Sequence, residues 1–189
     1  MRQPLEDRVI SIARARASTE YPASFILVAT ANPCPCGYYG TLGKCRCLPY
    51  QVINYQHRLS GPILDRIDLY SSVHEIHHDK LLAQAADPSA DTAVRQRISR
   101  ARRRQSARFA NQSKLNTEMT NADIRQHGQL DSQATKLLNT AAKRLGISAR
   151  AYMRTVKVAR TIADLERSEP ITPGHISEAL TYRYQSYKE

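Results

Sequence analysis

The spacing of hydrophobic positions changes character partway along the chain. Val9, Ile10 and Ile12 form a short β-branched run, and residues 1–31 read as strand-rich. Residues 24–30, Ser-Phe-Ile-Leu-Val-Ala-Thr, are a continuous apolar stretch of the kind buried on both faces of a parallel sheet. The stretch stops at Asn32-Pro33, because proline donates nothing to a ladder and restricts the residue before it. Residues 33–50 hold six of the chain's sixteen Gly and Pro residues, so an irregular excursion is expected there. A short polar helix over 50–60 follows, ending in Ser60-Gly61-Pro62, and the alternation at the start of 67–73 predicts a strand.

The second half reads as helix. Asp87-Pro88-Ser89 closes a linker, and a basic helix is expected over 91–114. Further helices are expected after Thr120 as cap, over 131–145 with Gly146 just past the end, from Ser148 to about 167, and from Thr172-Pro173. Three segments result: an α/β piece over 1–78, a linker over 79–90 and an all-helical piece over 91–189. No internal repeat is visible.

Composition narrows the class. With 41% hydrophobic and 24% charged residues, the chain has the balance of an ordinary globular protein. No stretch approaches the roughly 18 apolar residues of a membrane span. The start, MRQPLEDRVI, has neither the apolar core nor the small-residue cleavage site of a signal peptide. A cytoplasmic location without membrane partners is therefore expected, with the four cysteines not engaged in structural disulfides.

Charge adds a partner. The formal net charge is +11, and the eight basic residues between Thr92 and Thr117, with no acidic residue among them, supply +8 of it. Such a stripe suits nucleic acid or another polyanion, with Arg95, Arg102, Arg103, Arg104 and Arg108 as candidate contacts. A solvated, arginine-rich helix is the plainer alternative.

Four local patterns carry candidate chemistry. Asn32 closes the apolar stretch where α/β sheets bind ligands, and its amide could hold a phosphate oxygen and an attacking water, or simply form a turn. Arg66 stands between Asp65 and Asp68 in SGPILDRIDL, as a phosphate-directed guanidinium or a structural ion pair. In the helix after Ser148, residues Tyr152, Val156, Ala159 and Ala163 share a core face, and Arg150, Arg154 and Lys157 form a basic one. Cys34, Cys36, Cys45 and Cys47 read C-x-C-x8-C-x-C. They could make an all-thiolate zinc site, although one intervening residue is tighter than the usual two; a redox-labile or unmetallated loop is the other reading. His57, His74, His77 and His78 are not at ligand spacing with them, and the cluster of His74, His77 and His78 reads as solvated.

Together, NPCPCG, SGPILDRIDL and SARAYMRTVKVARTIADL resemble the C-terminal part of the magnesium-chelatase-like AAA+ ATPases of the ComM/YifB competence-protein family. The order and separation of the three strings extend the resemblance over essentially the whole chain. It implies the C-terminal part of a P-loop AAA+ core, α/β in class, followed by a helical lid, assembled as a hexameric ring that uses ATP and Mg²⁺ and remodels DNA in helicase-like fashion. It further implies that Asn32 is the sensor that positions water, Arg66 the arginine finger offered to a neighbour, and Arg150 the lid sensor that touches nucleotide. The G-x-x-x-x-G-K-[ST] loop and the paired Asp-Glu after a strand do not occur in these 189 residues. The family places both upstream, so the expectation is a C-terminal fragment, split product or mis-started reading frame, inactive alone and completed by a P-loop half. Two other functions fit the sequence: a non-enzymatic basic nucleic-acid-binding module, and a magnesium-chelatase subunit, although no tetrapyrrole site is evident.

Overall fold

The computed structural model describes residues 2–14, 17–41, 43–58, 61–73, 88–111 and 113–183. Residues 74–87, which hold most of the expected linker and His74, His77 and His78, lie outside that set. The chain forms two compact units, 1–67 and 68–189.

The first unit opens with α1 (Arg2–Glu6) and an antiparallel hairpin of β1 (Val9–Arg14) and β2 (Ala17–Pro22), in the register Val9↔Pro22 to Arg14↔Ala17. The β-branched run at Val9 to Ile12 supplies β1, as its composition predicts. The cross-strand pair Ser11 and Glu20 is joined by a 3.2 Å hydrogen bond from Ser11 Oγ to the carboxylate. The polar helix is α2 (Pro49–His57), with proline in its first turn and the Leu48 N–H donating to Gln51 Oε1 at 3.0 Å. A single turn, α3 (Gly61–Leu64), follows it and was not legible from pattern.

Two expected strands are not formed. Residues 23–32 have no regular structure, and Ile26 and Val28 are 87% and 84% exposed. Residues 67–73 are likewise irregular, with Leu69 and Val73 exposed. An interior strand exists only through neighbours on its edges. The hairpin, itself antiparallel, is the one sheet among the described residues.

The second unit is helical. It comprises α4 (Pro88–Phe109), one 3₁₀ turn at Asn116–Glu118, α5 (Asn121–His127), α6 (Ser132–Leu145), α7 (Ala149–Glu166) and α8 (Pro173–Thr181). Side-chain caps hold three of these, and Thr120 and Ser148 are the ones expected. Thr120 Oγ1 accepts from the Asp123 N–H, Asp131 from the Ala134 N–H and Ser148 Oγ from the Ala151 N–H. At α8 the cap bond runs the other way, with the Thr172 N–H donating to His175 Nδ1 at 3.0 Å. Gly146 ends α6 in the left-handed region at φ 62°, which glycine adopts without a Cβ clash. The basic helix stops at Phe109, short of the expected 114, and Ala110 follows it at positive φ.

A single apolar core unites these helices, with Leu138, Val156, Ala159, Ile162, Ala163 and Ile176 buried in it. Tyr152 packs half-buried against it, so the predicted core face of α7 is the observed one. Each fully buried Leu, Ile or Val contributes about 1.5–3 kcal/mol. A parallel bridge, Leu130↔Ile171, ties the segment before α6 to the segment before α8.

Candidate functional site

In the first unit the excursion after residue 32 brings the four cysteines together. Their sulfurs all lie within 4.8 Å of one another. Cys34 Sγ stands 3.3 Å from Cys36 Sγ and 3.9 Å from Cys45 Sγ, and Cys36 to Cys45 is 3.7 Å. The turn that starts the excursion closes through the Gly37 N–H donating to the Cys34 carbonyl at 3.0 Å. Gly37 has φ 83°, a conformation that disfavours any side chain. Cys34 is fully buried, and all four residues are thiols rather than disulfides.

The thiols do not titrate alike. Backbone N–H groups of Tyr38 and Arg46 point at Cys36 and hold its thiol down at about 6. A backbone N–H from Cys47 favours the Cys45 thiolate, but burial and the neighbouring Cys36 and Cys34 sulfurs push that thiol up. Cys47 receives a backbone N–H from Cys36, yet the Cys36 side chain, burial and Cys34 push it up to about 12. One thiolate in the cluster thus opposes the next.

Asn32 lies two residues before Cys34, exposed at the edge of an open cleft of about 340 Å³ that Thr30, Ala31, Tyr55 and Arg58 also line. Gln56 on α2 donates to the Pro33 carbonyl at 3.0 Å, which fastens this edge to the helix. Arg66 is turned onto α1, where its Nε donates to a Glu6 carboxylate oxygen at 2.9 Å and its Nη2 pairs with the same oxygen. Glu6, sixty residues away in sequence, is thus one partner of Arg66, while Asp68 pairs with Arg154.

In the second unit Arg150 is exposed in the first turn of α7. On the same expected basic face Arg154 pairs with Asp68, and Lys157 Nζ donates to the Thr117 carbonyl at 3.0 Å.

The basic helix α4 has two faces. Ala101 and Gln105 are buried, and Arg104 and Arg108 share their side of the helix. Arg108 donates to Asp164 Oδ2 at 2.8 Å and to Asn116 Oδ1 at 2.9 Å. Arg104 donates to the Ser168 carbonyl at 3.2 Å and to Glu169 at 2.5 Å. Asp164, buried on α7, also accepts from Asn116 Nδ2 at 2.9 Å and pairs with Arg160 at 3.2 Å. Burial lowers the pKa of Arg160, and Asp164 opposes that shift. Arg104 and Arg108, two of the five candidate polyanion contacts, are thus engaged inside the helical unit. Arg95, Arg102 and Arg103 are exposed on α4, and Arg95 and Arg103 line a shallow groove with Thr92, Gln96, Ser99 and Arg100. Sequence reasoning passed over Asp164. Its signal was the Arg160/Asp164 pair at i, i+4 on the apolar face of an amphipathic helix.

No helix among the described residues is long and apolar enough to cross a membrane. Residues 1–81 match the model of the magnesium chelatase subunit ChlI, and residues 88–183 match the model of its C-terminal part. The chain belongs to the magnesium chelatase subunit ChlI family. It is 42% identical over 184 residues to the uncharacterized protein YifB of Escherichia coli K12, covering 97% of this chain and 35% of that one. It is 39% identical to the competence protein ComM of Haemophilus influenzae, with the same coverage, and 35% identical to the uncharacterized protein Rv2897c of Mycobacterium tuberculosis, over 97% of this chain and 36% of that one. The chain therefore spans about a third of the length of the curated relatives it matches.

Proposed function

We propose that the chain supplies the sensor and lid elements of a magnesium-chelatase-like AAA+ ATPase that remodels DNA. In this reading 1–78 belongs to an α/β core, 91–189 is the lid joined through 79–90, and Mg–ATP is the substrate, bound with a P-loop half in a hexameric ring. Asn32 orients the attacking water, Arg66 stabilises charge at the γ-phosphate of a neighbouring subunit, and Arg150 touches nucleotide from the lid. Arg66 would leave Glu6 to do so, exchanging one carboxylate for a phosphate of higher charge.

The observation that carries the reading is the double use of α4. Its outward arginines are exposed and face a polyanion in this reading, while Arg104 and Arg108 lock the helix through Asp164 onto α7, whose first turn carries Arg150. One helix pair thus holds both the DNA-directed charge and the nucleotide-directed arginine.

The test is complementation with a chain that supplies the P-loop half. ATP hydrolysis should appear on mixing and rise with DNA. Arg66→Ala should lower turnover by roughly 10³–10⁵ with nucleotide binding retained, as for other arginine fingers. Arg150→Ala should impair both binding and turnover. If Arg66→Ala leaves turnover unchanged, Arg66 is a structural partner of Glu6 and the assignment fails. DNA binding without any gain of hydrolysis would favour the non-enzymatic module instead.

A further inference from the structure

We infer that Cys34, Cys36, Cys45 and Cys47 hold one zinc ion as a tetrathiolate, and that this ion fixes the turn on which the Asn32 side chain rests. Four thiolates around zinc at about 2.3 Å stand roughly 3.8 Å apart at the corners of a tetrahedron. The measured separations of 3.3, 3.7 and 3.9 Å bracket that value, and all four sulfurs fall within 4.8 Å of one another. An all-sulfur donor set is soft and suits zinc over magnesium or calcium.

The tight C-x-C spacing is accommodated by the backbone. Gly37, Gly40 and Gly43, all between the two cysteine pairs, take φ values of 83°, 86° and 74°, which fold the intervening chain back on itself. Cys45 and Cys47 lie in a segment free of helix and turn, where residues two apart face the same side when the backbone is extended. Among the described residues of the excursion Cys34 is the one buried hydrophobic side chain, so apolar packing does not offset the entropy of ordering it.

The link to Asn32 is direct. A Cβ placed on Gly37 would lie 3.9 Å from Asn32 Cγ and Nδ2, so the asparagine amide rests over this glycine. Gly37 follows the ligand Cys36 and bonds back to the carbonyl of the ligand Cys34. Gln56 braces the opposite side through the Pro33 carbonyl. The cysteines are thus positioning residues for Asn32, and only the importance of that position rests on the ATPase reading.

Metal analysis of the full chain purified under reducing conditions should return about one zinc per chain. All four thiols should resist alkylation until a chelator is added, and one equivalent of zinc should restore protection. Cobalt replacement should give the visible spectrum of a tetrahedral thiolate site. A second readout isolates the positioning role. The Asn32 side-chain amide resonance, identified by its loss in Asn32→Asp, should shift to the solvent-exposed position on chelation, while that of Gln96 on α4 stays in place. Cys36→Ser should reproduce this shift with the helical circular dichroism retained. Protein that carries iron, or no metal with thiols reactive from the start, overturns the zinc site. Bound zinc with an Asn32 amide indifferent to chelation overturns the positioning role. Neither result depends on whether the chain supports ATP hydrolysis.

Discussion

At the scale of the residue, Asp164 is the most heavily engaged side chain of the helical unit. It is fully buried and meets Arg104, Arg108, Arg160 and Asn116. Asp164→Asn keeps the shape and removes the charge that lets three guanidinium groups share one site. Breaking a buried ion pair from one side costs about 3–5 kcal/mol, so urea unfolding followed by circular dichroism should shift by about that much. Asp123 makes the opposite case, a carboxylate near the surface. The Thr120 backbone N–H and Lys114 hold its pKa down at about 2. A depressed carboxylate stabilises the fold above its unfolded value of roughly 3.9 and loses that contribution as pH falls through the folded one. Wild type should therefore exceed Asp123→Asn in stability at neutral pH, and the two should converge between pH 4 and 2. A constant difference across that range would show that the carboxylate charge is not what matters.

At the scale of the element, helix ends were legible in the sequence because capping is local. Thr120, Asp131 and Ser148 sit within three residues of the N–H groups they satisfy. Thr120→Ala should cost about 1 kcal/mol in thermal or urea unfolding. The faces of α4 were not legible. A block of eight like charges reads as one stripe, and only the tertiary structure reveals that Arg104 and Arg108 turn inward while Lys114 pairs with Asp123. The polyanion prediction changes accordingly. With Arg95, Arg97, Arg102 and Arg103 as the exposed set, the log–log salt slope of DNA binding should be about −4, near 0.9 per phosphate, where the full stripe would give about −7. Arg102→Ala with Arg103→Ala should flatten it by about 2 whatever the DNA sequence. Arg104→Ala should lower stability and leave the slope alone. Binding indifferent to salt would remove the polyanion face altogether. Strands at 24–30 and 67–73 failed for the converse reason: hydrophobic pattern specifies what a strand would bury, while its existence depends on partners distant in sequence.

At the scale of the whole molecule, stability is unevenly distributed. The helical unit has a shared apolar core, whereas in 1–67 the buried hydrophobic residues among those described are Cys34 and Val52. Native-state hydrogen exchange should reflect this. Amides of α7, inside the core, should be the slowest and exchange through global opening of that unit. Amides of 24–30 belong to no ladder and should exchange at the earliest times, despite being the most continuous apolar stretch in the chain. Exposed phenylalanine, isoleucine, leucine and valine in sequence are an unpaired strand in waiting, and such a segment gains order when another strand supplies its hydrogen bonds. In the ATPase reading that strand comes from the P-loop half. Adding it should slow exchange across 24–30 by orders of magnitude, and Phe25→Lys with Leu27→Lys should weaken the association and leave α7 protection unchanged. Slow exchange at 24–30 in the chain alone, independent of concentration, would mean the segment is already paired, and the strand would then be no place for a partner. Slow exchange that grows with concentration would assign the pairing to a second copy of this chain instead.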